Sequence, residues 1–192
     1  MLQHILKIIQ LHTNQTDLIK KAVKQDRKAQ HVLFETYAPK MLSVCRYYVS
    51  DLQKAEEVML NGFFKVFKYL KDYKNEGSFE GWIRRIMVRE AISFYRQKKQ
   101  IQFANEVENY SAEFHNDIDS SIEVAQIQAC IDSLPEGYRL IFNMYAIDGY
   151  KHNEIAKMLD INEGTSKSQL FKAKKMLQEK INTLNSVQNG VK

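Results

Sequence analysis

Apolar residues in this 192-residue chain recur at three- and four-residue intervals rather than at alternate positions, and that period predicts helices throughout. A first amphipathic stretch covers Met1 to Leu11. Thr16 and Asp17, both good N-caps, then open a helix through Leu18, Ala22 and Val23. A second helix is expected from about Gln30, past Pro39, which kinks or restarts it, and on through Leu42, Val44, Cys45 and Tyr48. Ser50-Asp51 ends that helix and caps the next, Leu52 to about Tyr69, with Ala55, Met59, Phe63, Val66, Phe67 and Leu70 as its core face. Its acidic beginning, Asp51, Glu56 and Glu57, suits the positive end of the helix dipole. A further helix is expected from Phe79 to about Lys99. No segment alternates convincingly, and only two prolines and seven glycines interrupt the pattern. The expected fold class is all-α, two helical units with a weaker stretch between them.

The segment Gly149 to Lys172 has the pattern of two short helices joined by a tight turn. Ile155, Ala156, Met158 and Leu159 share one apolar face, Asp160 and Asn162 bracket a turn centred on a buried Ile161, and a second helix starts near Glu163 or Gly164. At about 100° per residue, Lys167, Ser168, Phe171, Lys172 and Lys175 fall on one arc, and Leu170, Ala173 and Leu177 lie opposite. Helix-turn-helix modules lay such a second helix in the major groove, its first turns against base edges and its lysines against phosphates. There Phe171 would meet a thymine methyl, and Lys167 and Lys172 guanine or phosphate. On a lone helix the plainer reading is a packed Phe171 and solvated lysines. The turn and the preceding helix favour DNA.

The helix from Phe79 carries a second signal. Trp82, Arg85, Arg89, Ser93 and Arg96 cluster on one face, across from Ile83, Met87, Ala91, Phe94 and Tyr95. In isolation Trp82 would be read as core and the arginines as solvated. Beside a DNA-reading module, a basic and aromatic face fits single-stranded nucleic acid, where stacking a base on an aromatic ring is worth about 1–3 kcal/mol. The preceding segment, Asp72-Tyr73-Lys74-Asn75-Glu76-Gly77-Ser78, is polar and suited to cradling an extruded base.

Charge sharpens this picture. The net charge is +5, but residues 1–99 hold 19 Lys or Arg against 10 Asp or Glu, residues 100–139 hold 1 against 8, and residues 140–192 hold 8 against 5. Basic blocks gain affinity for a polyanion by releasing its counterions, whereas the acidic stretch between them is repelled by DNA. Cys45 and Cys130 sit in apolar contexts and read as buried thiols of a reduced compartment, not as a disulfide or a zinc site. The histidines have no metal-ligand spacing, no glycine-rich phosphate loop is present, and no catalytic constellation appears, so neither an enzyme, a cofactor nor a small-molecule substrate is expected. No run reaches membrane-spanning length and the amino terminus lacks a signal-peptide pattern, which points to the cytoplasm.

These segments together resemble a group 4, extracytoplasmic-function sigma factor of the sigma-70 family, over nearly the whole chain. Phe34-Glu35-Thr36-Tyr37-Ala38-Pro39, Asp51 with Ala55-Glu56-Glu57-Val58, Phe63-Phe64-Lys65-Val66-Phe67 and Phe79-Glu80-Gly81-Trp82-Ile83-Arg84-Arg85-Ile86 look like sigma region 2. Leu134-Pro135-Glu136-Gly137-Tyr138-Arg139, Glu154-Ile155-Ala156 and Gly164-Thr165-Ser166-Lys167-Ser168 look like region 4. The resemblance implies an N-terminal extension over 1–15, region 2 over 16–99, an acidic linker over 100–122, region 4 over 123–184 and a C-terminal tail over 185–192.

It also implies the partners: bacterial RNA polymerase core, promoter DNA both as duplex and as the single non-template strand, and an anti-sigma factor. Core polymerase is expected to meet Glu56, Glu57, Leu60, Asn61, Phe63 and Phe64. The minus-10 element is expected at Lys74, Asn75, Phe79, Trp82, Arg85, Arg89, Ser93 and Arg96, with one base flipped out. The minus-35 element is expected at Thr165, Lys167, Ser168, Gln169, Phe171, Lys172 and Lys175. The acidic stretch would thread the polymerase channel. Leu60-Asn61 replaces the family's Gln and acidic pair, Arg89 and Ser93 stand where many members have Asn and Asp, Asp160 replaces the usual turn glycine, and Gln169 a frequent arginine. Two alternatives remain: a helix-turn-helix regulator acting on duplex DNA without polymerase, which leaves the Trp82 face idle, and a degenerate relative serving as a protein-interaction module.

Overall fold

The computed structural model describes residues 15–97 and 124–189, and these are helical with short connections and no strand among them. The expected extension, apart from residue 15, and the acidic linker lie outside the described residues. The chain divides into two compact units, Met1–Phe94 and Tyr95–Lys192.

In the first unit α1 covers residues 15–23, followed by α2 (Arg27–Tyr48), α3 (Leu52–Lys68), a 3-10 turn (Leu70–Asp72) and α4 (Phe79–Gln97). Helix α2 begins three residues before the expected Gln30, because the Asp26 side chain accepts the Ala29 N–H at 3.0 Å and so caps it. Pro39 lies inside α2 at an exposed position, and the helix continues through it. Asp51 caps α3 in the same way, accepting the Lys54 N–H at 3.0 Å. The core is built from Leu33, Met41, Cys45 and Tyr48 of α2, Ala55, Met59, Phe63 and Val66 of α3, and Ile83, Met87 and Ala91 of α4. Helices α3 and α4 meet closely at Gly62, where an added Cβ would stand 2.3 Å from Met87 Sδ. Ion pairs tie α4 to its neighbours: Lys40 to Glu80 at 2.8 Å and Lys65 to Glu90 at 2.5 Å. Burial, helped by Glu90, pushes the Cys45 thiol up to about 12, so it behaves as an apolar core residue.

The second unit contains α5 (Val124–Asp132), α6 (Glu136–Phe142), a single π turn (Asn143–Ile147), α7 (His152–Leu159) and α8 (Glu163–Asn189). Cys130, Ile131 and Leu134 pack on Ala173 and Leu177 of α8, with Tyr138 and Phe142 closing the cluster. The buried Arg139 guanidinium donates to the Asp132 carbonyl at 2.9 Å and so satisfies an acceptor at the end of α5. Glu154 accepts the Lys151 backbone N–H at 2.8 Å and fixes the start of α7. Asp160 ends α7 at φ 56°, ψ 51°, the left-handed geometry that glycine would otherwise supply. Helix α8 runs past residue 184 into the segment expected as a tail. Both cysteines are free and buried, and no described helix is long and apolar enough to cross a membrane.

Candidate polymerase and nucleic-acid interfaces

The outward face of α3 is unusually apolar for a helix surface. Phe64 is 69 % exposed, Leu60 54 % and Leu52 49 %, and Glu56, Glu57 and Asn61 are exposed beside them. Exposed apolar groups of this size, rimmed by polar ones, are a signature of protein contact. Phe63 does not belong to that surface. It is 3 % exposed and meets Phe34 edge-on with ring centroids 4.8 Å apart, because residues adjacent on a helix point about 100° apart and only one of the pair can face outward.

On α4 the expected face is present. Arg85, Arg89 and Arg96 are exposed, with Trp82 and Ser93 half-buried on the same side, and Ile83, Met87 and Ala91 point into the core. Phe79, expected at DNA, is instead 3 % exposed and works as a platform: Trp82 stacks on it at 5.8 Å, and Tyr37 and Tyr73 approach it edge-on at 5.5 and 5.1 Å. Before α4 the chain makes a constrained loop. Asn75 and Gly77 both have positive φ, 62° and 82°, the Tyr73 hydroxyl donates to the Gly77 carbonyl at 2.9 Å, and Ser78 Oγ accepts the Gly81 N–H at 3.0 Å. Lys74 and Asn75 are exposed at its tip. The loop, α1 and Tyr37 enclose a cleft of about 370 Å³ lined by Gln15, Tyr37, Tyr73, Asn75, Ser78 and Glu80 among others. Gln15 donates to the Tyr37 hydroxyl across it. Burial, with Glu80 and Tyr73 nearby, raises the Tyr37 pKa, and burial raises that of Tyr73, so both phenols stay protonated and can donate. The convergence of this pair has no signal in the sequence, because it depends on how α2 and the loop pack.

In the second unit the turn and α8 start where expected, at Glu163, and Ile155 and Leu159 are buried. Ile161, expected buried, is partly exposed. The exposed arc of α8 is narrower than the helical wheel suggested. Lys167 and Lys175 are exposed and Phe171 and Lys172 half-buried, but Ser168 is buried at 4 %, as are Thr165 and Gln169. Helix α8 packs against α5, α6 and α7 rather than one neighbour, so its covered surface exceeds half the circumference. The Ser168 hydroxyl turns back to the Thr165 carbonyl at 3.1 Å. Lys167 pairs with Glu163 at 2.8 Å and lowers that carboxyl's pKa.

A further group went unnoticed in the sequence. The His152 ring stacks on Tyr145 with centroids 4.5 Å apart, and its Nδ1 lies 2.9 Å from Ser166 Oγ, linking the start of α7 to α8. Burial first, then Lys167, lowers the His152 pKa. Because the folded form disfavours the proton, its stabilising contribution is fully present above the unfolded value of about 6.5 and is lost as pH falls toward the folded value. An NMR titration of the His152 ring is therefore expected to show a midpoint below that of free histidine, and the thermal stability of wild type relative to His152→Gln should decline as pH drops below 6.5.

Two family profiles match this arrangement: Sigma-70 region 2 over residues 33–101, and Sigma-70, region 4 over residues 125–177. Together they span well over half of the chain, the first mostly on the first unit and the second wholly on the second. The chain belongs to the sigma-70 family. Within it the curated relatives are extracytoplasmic-function proteins: the ECF RNA polymerase sigma-E factor of Haemophilus influenzae is 27% identical over 180 residues, 87% of this chain and 95% of the relative. That of Escherichia coli strain K12 is 28% identical over 180 residues, 87% and 94%. Among solved structures, the sigma factor RpoE in complex with the anti-sigma factor NepR from Bartonella quintana is 18% identical, covering 79% of this chain and 96% of that one at a TM-score of 0.48. In this sigma-70 member, then, the exposed face of α3 and the Trp82 face with its loop lie in region 2, and the turn with the lysines of α8 lies in region 4.

Proposed function

We propose that this extracytoplasmic-function sigma factor binds core RNA polymerase, brings it to promoters and opens the DNA by binding energy, without catalysis of its own, in the cytoplasm. The observation that carries this reading is the ordered pair of regions with a basic, aromatic face on one and a lysine-bearing helix-turn-helix on the other. Polymerase meets Leu60, Asn61, Phe64, Glu56 and Glu57, with Phe63 setting the helix from the core. The minus-10 strand runs over Trp82, Arg85, Arg89, Ser93 and Arg96, Phe79 supports the platform, and the cleft beside Lys74 and Asn75 receives the flipped base. Lys167, Phe171, Lys172 and Lys175 read the minus-35 duplex, while Thr165, Ser168 and Gln169 hold the recognition helix in place. The boundaries are those read from the sequence, 16–99 for region 2 and 123–184 for region 4, with the acidic 100–122 between them. An anti-sigma factor covering the apolar face of α3 completes the set of partners.

Reconstituted transcription with core polymerase tests this reading. Wild type is expected to give specific starts and permanganate-reactive thymines at the minus-10 element without ATP hydrolysis. The double variant Arg85→Ala/Arg89→Ala should form holoenzyme normally yet open the promoter at least tenfold less, as expected when charge-assisted phosphate contacts are removed. Failure to bind core polymerase at low salt, with tight duplex binding retained, would instead indicate a stand-alone duplex regulator.

A further inference from the structure

The cleft assigned to the flipped base does not end at the loop. Against it, sharing Thr16, Ile19, Tyr73 and Asn75, lies a second cleft of about 460 Å³ between α1 and the segment 70–75. Its lining adds Lys20 of α1 and Lys24 of the turn that follows that helix, together with Lys71 and Lys74 from the facing segment. Four exposed lysines thus line one groove, and no carboxylate residue does; Asp17, Asp72 and Glu76, close in sequence, are absent from its walls. Among the described residues none of the four lysines has an ion-pair partner, whereas Lys40 and Lys65 of the same unit are both paired across helices. Like charges gathered this way repel one another unless an anion is drawn between them. A groove lined by four lysines together with Val23, Leu70 and Tyr73 suits a sugar-phosphate backbone, with phosphates to the lysines and the remainder to the apolar residues.

We infer that the single strand continues from the base cleft into this groove, so that Lys20, Lys24 and Lys71 bind phosphates flanking the flipped nucleotide and make α1 a DNA-binding element. Lys74, which lines the second cleft, lies in sequence between Tyr73 and Asn75, which line both. The inference rests on the minus-10 reading of the adjoining cleft and adds residues that neither the helical wheels nor the motifs singled out. The physical consequence is electrostatic: neutralising these lysines removes counterion release without touching base recognition.

The test uses holoenzyme reconstituted from the full chain and core polymerase, with a single-stranded non-template oligonucleotide from a promoter found by start mapping. One copy of the oligonucleotide carries native phosphates, and a second carries neutral methylphosphonates at the positions flanking the flipped base. Binding is followed by fluorescence anisotropy across a salt series. Wild type should bind the neutralised oligonucleotide about tenfold more weakly than the native one. Lys20→Gln/Lys24→Gln/Lys71→Gln should lose about tenfold on the native oligonucleotide, lower the log–log salt slope by roughly 2, at about 0.7 per phosphate contact, and show no further loss on the neutralised one. Lys28→Gln, outside the groove, should behave as wild type. Equal losses on neutralisation in wild type and triple variant, or an unchanged salt slope, would overturn the inference. If wild-type holoenzyme ignores the native oligonucleotide, the minus-10 reading itself fails, a separate outcome.

Discussion

Phe64→Asp is expected to weaken binding of this sigma-70 family member to core polymerase by about 100-fold and to leave its folding unchanged. The side chain is 69 % exposed on α3, the most exposed of the large apolar residues among those described, so removing it costs no internal packing. Placed at the centre of a protein interface, an aromatic anchor of this kind accounts for about 2–4 kcal/mol, and each 1.4 kcal/mol is about tenfold in affinity. A carboxylate adds the cost of burying an unpaired charge beside Glu56 and Glu57. Fluorescence titration of labelled core polymerase measures the loss, and circular dichroism checks that helix content and melting midpoint stay at wild-type values. Leu60→Asp should behave similarly, since Leu60 lies one turn before Phe64 on the same face. An affinity equal to wild type for both variants would move the polymerase contact off α3.

The second large effect is on stability. Ile83 is fully buried on α4, directly behind the face that carries Trp82 and Arg85. Ile83→Ala leaves a cavity in the core of the first unit, and such truncations cost about 2–5 kcal/mol. For a unit of this size each kcal/mol shifts the melting midpoint by about 4–8 °C, so a fall of about 8 °C or more is expected in thermal melts. Ile83→Val, which removes one methylene, should retain most of the stability, with a loss of about 0.5–1.5 kcal/mol. Promoter opening by Ile83→Ala should recover at low temperature, where α4 is again folded, and opening by Arg85→Ala/Arg89→Ala should not. That contrast separates residues that build the platform from residues that hold DNA.

Much of this was legible along the chain. Positions 55, 59, 63 and 66 of α3 and 83, 87 and 91 of α4 were marked as inward by their spacing alone, and all are buried. The tight turn before α8 was readable at Asp160, whose short polar side chain tolerates the left-handed geometry found there. Phe63 and Phe79 show where reading from motifs stops. A motif assigns a residue to a functional segment, but whether its side chain faces a partner or the core depends on what packs behind it, as Phe34 does behind Phe63 and Tyr37 and Tyr73 do around Phe79. Ser168 is the same lesson on α8. A wheel drawn for one apolar arc supposes one neighbour, and α8 has three.

The amino-acid sequence by itself determined that this is an all-α chain of two sigma regions, that α4 puts arginines opposite its core residues, and that the lysines of α8 follow a turn. These are consequences of local periodicity, capping chemistry and motif order, all of which act within a few residues. Only the tertiary structure decided that Tyr37, Tyr73 and Gln15 converge on one cleft, that Lys20 and Lys24 line another with Lys71 and Lys74, and that His152 bridges Tyr145 and Ser166. Those groupings join residues up to nearly sixty positions apart, and what brings them together is the burial of apolar faces on separate helices, which no single segment encodes.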